Sequence, residues 1–174
     1  MKTPNIHKLV LSAMLAALTC VATMVVQIPS PTKGYVNLGD CFVLLSAWLL
    51  GPYYGAAAAG IGSMLTDLFM GYAYYAPATL VIKALMAFSA ALIARSTRKR
   101  GRRILSGIVA ELEMTAGYFL FSALLLGKGL AAALSVPGNL VQGTVAVVVS
   151  VALMEIMQKI GMLKNIGASD SKEL

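Results

Sequence analysis

The sequence predicts an all-α polytopic membrane protein, a single domain folded as a bundle of six transmembrane helices. Hydrophobic residues make up 59% of the 174 residues and charged residues only 12%. The mean hydropathy is +0.80, and basic residues cluster between long apolar runs. A soluble domain is about 45–50% apolar and about 25% charged, and a small core cannot bury the excess found here. A soluble enzyme, a disordered chain and a secreted disulfide scaffold are therefore poor interpretations.

Six apolar runs predict the helices, because a span needs about 20 apolar residues, or fewer where it ends in a shared cavity. In order, the predicted helices cover about 8–28, 40–51, 53–71, 77–95, 104–126 and 137–161. Gly51 and Pro52 separate the second helix from the third. Pro77 and Pro137 begin the fourth and sixth helices. Proline suits the first turn of a helix, because backbone N–H groups there have no partner within the helix. The turn-rich segment 29–39 is expected to cover an outward-facing pocket rather than to serve as a passive linker.

The first apolar run also resembles a secretory signal peptide, because Lys2 and Lys8 precede it. It is long for such a signal, however, and no clean cleavage site between small residues ends it. Cys20 lacks the small residue that normally precedes a lipidated cysteine. We therefore expect the run to be retained as the first helix.

The basic residues predict the orientation of the bundle. The 14 Lys and Arg residues exceed the 7 Asp and Glu residues, which gives a net charge of +7. If both termini are cytoplasmic, eleven of these cations lie inside, Lys33 and Lys128 lie outside, and Lys83 lies within a helix. Cytoplasmic loops of membrane proteins carry such an excess. The charge therefore indicates an N-in, C-in topology in the cell membrane rather than a nucleic-acid partner.

Charged residues inside a bilayer are costly and are usually functional or paired. Asp67 and Lys83 are predicted at similar depth on consecutive helices. They form either a structural ion pair or contacts to a polar ligand, and the sequence favours neither interpretation. Asp40 begins the second helix, where it can cap the helix N-terminus. A ligand contact by Asn37 or Asp40 is compatible with that role.

A polar stripe on the fifth predicted helix should face the bundle interior, and it comprises Glu111, Thr115, Tyr118 and Ser122. Tyr118 and Ser122 lie in the outer half, near the expected pocket, and Tyr118 is a candidate ligand contact. Glu111 lies deeper, and Glu113 lies about 200° from it around the helix. The two acids are expected to be structural or to pair with the basic loop.

Two amides and several tyrosines complete the set of candidate ligand contacts. Asn139 and Gln142 share the outer end of the sixth helix. Their amides can orient a heterocycle by paired donors and acceptors, or they can hydrogen-bond to a neighbouring helix. Tyr72 and Tyr75 lie in the tyrosine-rich loop 71–76. Aromatic residues suit a membrane interface, and one or two of them can also stack on a flat ligand.

The sequence lacks the motifs of a membrane enzyme. It contains no Walker motif for ATP. Its single histidine, His7, lies in the N-terminal tail, away from any nucleophile or metal-ligand spacing. Two cysteines are too few for a disulfide framework. We therefore expect no catalytic residues, no metal and no cofactor in this chain.

Four stretches carry a resemblance to a known family. They are 35–40 (Tyr-Val-Asn-Leu-Gly-Asp), 49–52 (Leu-Leu-Gly-Pro), 55–63 (Gly-Ala-Ala-Ala-Ala-Gly-Ile-Gly-Ser) running on to Asp67, and 75–77 (Tyr-Ala-Pro) running on to Lys83. With them, the chain resembles the substrate-binding S components of energy-coupling factor (ECF) transporters, the vitamin importers of prokaryotes. It is most similar to the riboflavin-type branch, which also includes proposed carriers of hydroxymethylpyrimidine and vitamin B6.

The resemblance implies that the chain binds a vitamin near the outer face, below the segment that follows the first helix. It also implies association with a transmembrane scaffold subunit and two ATP-hydrolysing subunits. Ala13 and Ala17 form a small-residue stripe that packs either within the chain or against a partner, and the resemblance assigns it to the scaffold.

The mixed polar residues suit a small hydroxylated heteroaromatic ligand. A vitamin B6 form or hydroxymethylpyrimidine is the first expectation, and riboflavin is the next. The alternative is a non-transport assembly or sensor module, in which the intramembrane charges only hold helices together.

Overall fold

The computed structural model of the protein describes residues 6–29, 35–94 and 100–161. Its helices are α1 (Ile6–Val25), α2 (Gly39–Phe69), α3 (Ala76–Ala94), α4 (Arg100–Leu120) and α5 (Val136–Lys159). Together with short helical turns that extend α4 and α5, all five are long and apolar enough to cross a membrane. Large apolar side chains cover their outward faces. The predicted all-α membrane fold is confirmed, whereas the cytoplasmic location of the termini stays a prediction.

A sharp break at Gly51 divides α2 into two arms. Gly51 has φ 77° and ψ −173°, a backbone conformation that is essentially restricted to glycine. A Cβ atom on Gly55 would lie 2.6 Å from the carbonyl oxygen of Ser46, although nine residues of straight helix span about 13.5 Å. The second arm therefore folds back along the first. These arms correspond to the predicted helices 40–51 and 53–71, and the count of six membrane spans stays a prediction.

A short β-hairpin connects α1 to α2. Strand β1 (Gln27–Pro29) pairs antiparallel with β2 (Tyr35–Asn37), and Gln27 lies opposite Asn37. The expectation of an irregular segment over 29–39 is therefore wrong at its ends, and α1 stops at Val25 rather than at residue 28. The tip of the segment, 30–34, lies outside the described residues. The hairpin brings Asn37 directly to the start of α2.

The stretch 127–136, between the fifth and sixth predicted helices, contains helical turns. A π-helical turn, Phe121–Leu125, extends α4, and a 3₁₀-helix, Gly129–Ser135, leads directly into α5. Gly127 and Gly129 have positive φ values of 66° and 52°, which glycine adopts without steric cost. They allow the chain to reverse between the two helical turns.

Small residues allow the helices of the core to approach closely. A Cβ atom on Gly62 would overlap the carbonyl oxygen of Ala16 in α1, and one on Gly60 would lie 2.8 Å from the carbonyl oxygen of Leu80 in α3. Such contacts are the usual basis of helix packing in membranes. The second arm of α2 is thereby held between α1 and α3, at the centre of the bundle.

Much of the charge behind the predicted orientation lies outside the described residues, namely Lys2, Lys33, Arg95, Arg98, Lys99, Lys164 and Lys172. At the described end of the basic loop, Arg100 forms an ion pair with Glu155 of α5, with 2.9 Å between Nε and Oε1. The side chain of Arg100 is largely exposed, so the pair contributes little to stability. It nevertheless connects the start of α4 to the end of α5.

Candidate ligand-binding site

One cavity of about 370 Å³ collects all nine side chains that the sequence analysis singled out as ligand contacts. They come from β2, both arms of α2, the loop before α3, and the helices α3, α4 and α5. The predicted contacts in its lining are Asn37, Asp40, Asp67, Tyr72, Tyr75, Lys83, Tyr118, Asn139 and Gln142. A volume of this size suits a small organic molecule.

A buried ion pair lies in the lining of the cavity. The ammonium group of Lys83 donates to Oδ1 of Asp40, and both side chains are almost completely buried. The second oxygen of Asp40 accepts a hydrogen bond of 2.6 Å from Nε2 of Gln142. Of the two interpretations left open for Asp67 and Lys83, the structural ion pair between them is not formed, because Lys83 pairs with Asp40 instead. The reversal at Gly51 places both ends of α2 beside α3, and Lys83 binds the acid at the first end.

The capping hydrogen bond expected of Asp40 is not formed, although Asp40 does lie in the first turn of α2, at the positive end of the helix dipole. Within the part of the chain that the structure describes, no side chain makes a capping hydrogen bond at the residue that precedes α2. The N–H of Gly39 instead donates to Oδ1 of Asn37, at 2.9 Å. The carboxylate of Asp40 points into the bundle, where it neutralises the buried charge of Lys83.

Hydrogen bonds of Gln142 connect β2 to α5. Its Oε1 accepts hydrogen bonds from the backbone N–H of Asn37 at 3.2 Å and from Nδ2 of Asn37 at 3.1 Å, while its Nε2 donates to Asp40. The interpretation of Gln142 as a structural hydrogen-bonding group is thus realised in the structure. Asn37 and Gln142 line the cavity, but their amides already hold each other.

Two polar side chains of the lining have unused hydrogen-bonding capacity. Oδ2 of Asp67 is buried and has no hydrogen-bond partner among the described residues. Asn139 is half-buried, and no side-chain hydrogen bond of its amide is found over 6–29, 35–94 and 100–161. A buried polar atom without a partner is costly. Asp67 therefore carries a buried, unsatisfied oxygen in the cavity lining, and Asn139 carries an amide without a side-chain partner there.

Aromatic side chains form a second wall. The Tyr118 hydroxyl donates to Oγ1 of Thr79 at 3.1 Å, and the ammonium of Lys83 lies 5.6 Å from the centre of the Tyr118 ring. The rings of Tyr74 and Tyr75 lie 4.8 Å apart. This wall offers aromatic faces to a flat ligand, next to a fixed positive charge.

Hydroxyl and ammonium groups of the cavity lining also contact one another. The Tyr75 hydroxyl lies 3.3 Å from Oγ of Ser122, and it accepts a longer contact of 3.4 Å from Lys128. The edge of the Tyr72 ring packs against Tyr74. These contacts connect the loop before α3 to the turns after α4.

Several lining residues were not among the predicted contacts, namely Thr23, Ser63, Tyr74, Thr79, Ser122, Lys128, Ala131, Ala132, Leu134 and Ser135. Ser63, Thr79 and Ser122 share helix faces with predicted residues, so helical spacing was a signal for them. The 3₁₀-helix supplies four others, and an irregular outer loop gave no register from which to place them. Thr23 belongs to the lining because α1 packs beside the second arm of α2.

The small-residue stripe of α1 faces outward. Ala13 and Ala17 are exposed, whereas the neighbouring Ala16 packs against Gly62 of α2. Packing within the described part of the chain therefore does not account for Ala13 and Ala17. A surface of small, exposed residues allows close approach by another helix.

The two acids of α4 have separate environments, and neither is paired with the described residues of the basic loop. Oε2 of Glu113 accepts a hydrogen bond of 2.5 Å from Ser89 on α3. Glu111 is buried, as the stripe predicted, yet neither of its carboxylate oxygens has a partner within the described ranges. Among the residues that the structure describes, no three His, Cys, Asp or Glu side chains come together in a group that could hold a metal ion.

Comparisons with known proteins agree with this architecture. The model of a family described as ECF-type riboflavin transporter, S component, matches residues 3–159. A Pyrococcus woesei protein described as an uncharacterised protein in the gap 3′ region is 35% identical over 140 residues, which are 80% of this chain and 93% of that protein. The thiamine precursor transporter HmpT of Lactococcus lactis subsp. cremoris (strain MG1363) is 30% identical over 165 residues, 94% of this chain and 95% of its own.

A solved structure shares the fold. It is reported as the S component of a bacterial ECF transporter, and it matches with a TM-score of 0.73 and 24% identity over 88% of this chain and 96% of its own. The family model covers most of the sequence, and the helical bundle has the same architecture as the solved S component. The chain therefore belongs to the family of ECF-type riboflavin transporter S components.

Proposed function

We propose that this chain is the membrane-embedded, high-affinity substrate-binding subunit of a prokaryotic ECF-type importer, with both termini in the cytoplasm. It captures a small heteroaromatic vitamin or precursor in the cavity of about 370 Å³. The observation that carries the proposal is the buried oxygen of Asp67 without a hydrogen-bond partner among the described residues, in a cavity that a buried ion pair and several tyrosines also line. A module whose charges only hold helices together has no need of a cavity lined in this way.

Hydroxymethylpyrimidine is the proposed substrate. The free oxygen of Asp67 can accept a hydrogen bond from the exocyclic amine of the pyrimidine, while the Asn139 amide offers both a donor and an acceptor. Tyr118 and Tyr75 provide faces on which the ring can stack. The relation to a thiamine precursor transporter supports this choice. A vitamin B6 form comes next because it lacks a ring-bound amine, and riboflavin follows because of its larger tricyclic ring.

Energy for uptake is proposed to come from partner subunits. This sequence contains no Walker motif, so ATP hydrolysis belongs to two separate ATPase subunits joined through a transmembrane scaffold. The exposed stripe of Ala13 and Ala17 on α1 is the proposed docking surface for that scaffold.

Ligand titration of the purified full-length chain in detergent tests the proposal. Hydroxymethylpyrimidine, pyridoxine, thiamine and riboflavin are compared by calorimetry. The first ligand should bind with one-to-one stoichiometry. The variants Asp67→Asn and Asn139→Ala should each weaken binding about tenfold or more, since hydrogen bonds to charged or buried groups are lost.

The control for these variants is Lys159→Ala, which removes an exposed cation near the end of α5. It should bind as the wild type does. If none of the four ligands binds, the assembly or sensor alternative replaces the transport proposal. If ligand binds and both cavity variants keep full affinity, the ligand lies elsewhere in the chain.

A further inference from the structure

A second cavity lies between α4 and α5, apart from the site described above. Its volume is about 320 Å³, which lies within the range of small-molecule sites. Apolar side chains form most of its wall, and Ile108, Leu112 and Val148 in that wall are 47%, 53% and 64% exposed on the outward surface of the bundle. The cavity is therefore a crevice that opens toward the lipid phase.

The carboxylate of Glu111 is the one charged group in the lining of this crevice. The side chain is only 5% exposed, and neither of its oxygens has a hydrogen-bond partner among the described residues. Gly143 makes room for it, because a Cβ atom there would lie 2.7 Å from Cβ of Glu111. The absence of a side chain on Gly143 thus allows α5 to pack directly against the Glu111 side chain, and both residues belong to the lining of the crevice.

The protein itself supplies no donor to this carboxylate within the described residues. Thr144 is the other polar side chain in the crevice, and its hydroxyl already donates to the carbonyl oxygen of Leu140 at 2.8 Å. The buried cation Lys83 is bound to Asp40. A carboxylate that is removed from water and left without a donor is strongly unfavourable, so an occupant that brings a donor into the crevice gains binding energy.

We propose that the crevice is a second ligand site, which takes an apolar molecule carrying one protonated amine from the lipid phase. The ammonium group pairs with Glu111, and the apolar body lies along the exposed wall between α4 and α5. Glu111 lies about 16 Å along the helix from Arg100, near the middle of α4. That depth excludes the headgroup of an ordinary bilayer lipid.

Trp48 provides a reporter for this site, because it is the single tryptophan of the chain. Its indole N–H donates to Oγ of Ser106 at 3.0 Å, and Ser106 lies two residues from Ile108 in the crevice wall. A nitroxide-labelled decylamine bound in the crevice should therefore quench Trp48 fluorescence. Labelled decanol and decanoate of the same chain length, added to the purified full chain in neutral detergent, show whether the positive charge is required.

The expected result is saturable quenching by the amine, with decanol about tenfold or more weaker and decanoate without a saturable phase. Glu111→Gln should weaken the amine about tenfold or more, whereas Glu113→Gln, an exposed acid on the same helix, should not. Thr144→Phe fills the crevice from an exposed position and should abolish saturable quenching by the amine. If Glu111→Gln does not fold, the result for Thr144→Phe decides whether the amine binds in the crevice. Non-saturable quenching, or equal quenching in wild type and the crevice variants, overturns the proposal.

Discussion

Removal of Lys83 from its ion pair with Asp40 should destabilise the protein strongly. In the variant Lys83→Met, Asp40 keeps only the hydrogen bond from Gln142, and its second oxygen becomes an uncompensated buried charge. Breaking a buried pair by removing one partner costs about 3–5 kcal/mol. For a chain of this size, each kcal/mol lowers the melting temperature by about 2–4 °C, so a loss on the order of 10 °C is expected.

Thermal unfolding in detergent, followed by far-UV circular dichroism, measures this loss. Lys159→Met is the matched control, because Lys159 is exposed in the last turn of α5 and its interaction with the helix dipole is worth about 0.3–1 kcal/mol. The double variant Asp40→Asn with Lys83→Met removes both charges and should recover a large part of the stability. The reasoning is refuted if Lys83→Met melts with the control, or if the double variant loses the sum of the two single losses.

Three further outcomes are expected from substitutions elsewhere. Ala13→Trp should keep vitamin binding but block uptake in cells, and normal uptake would exclude this face of α1 as the docking surface. Gly62→Ala should lower stability by about 1–3 kcal/mol, because the new Cβ overlaps the carbonyl oxygen of Ala16. The control for Gly62→Ala is Gly101→Ala, whose Cβ meets open space, and this variant should keep the stability of the wild type. Gln142→Leu should lower the melting temperature, since Asp40 and Asn37 lose their shared partner, and an unchanged melting curve would contradict that role.

Apolar periodicity and proline positions were enough to predict the helices, because both act locally along the chain. The predicted start of the fourth helix differs from that of α3 by one residue, and Gly51 with Pro52 marks the break in α2. Strands β1 and β2 were not predicted, since three-residue strands carry no reliable alternation. The 3₁₀-helix before α5 was not predicted either, and four residues of the cavity lining lie on it.

Part of the cavity lining was also predicted, because polar side chains within a bilayer must face the interior of the bundle. Depth along the helices then placed Asp67 and Lys83 at a similar level. The pairing of Lys83 could not be derived in this way. Depth places Asp67 and Asp40 equally close to Lys83, since both ends of a doubled-back α2 reach the same level. The choice between them depends on rotation of the arms about their axes, which only the tertiary packing determines.

That choice has a functional consequence, because one buried cation can fully compensate only one carboxylate. Lys83 takes Asp40, which Gln142 already orients, and this assembly ties α2, α3, α5 and β2 together. Asp67, which also belongs to the cavity lining, is left with one oxygen that has no hydrogen-bond partner among the described residues. Exchange of the two roles would leave the free carboxylate at Asp40, where Gln142 could satisfy it without a ligand. The observed pairing therefore satisfies Asp40 within the protein and leaves Oδ2 of Asp67 without a hydrogen-bond partner among the described residues.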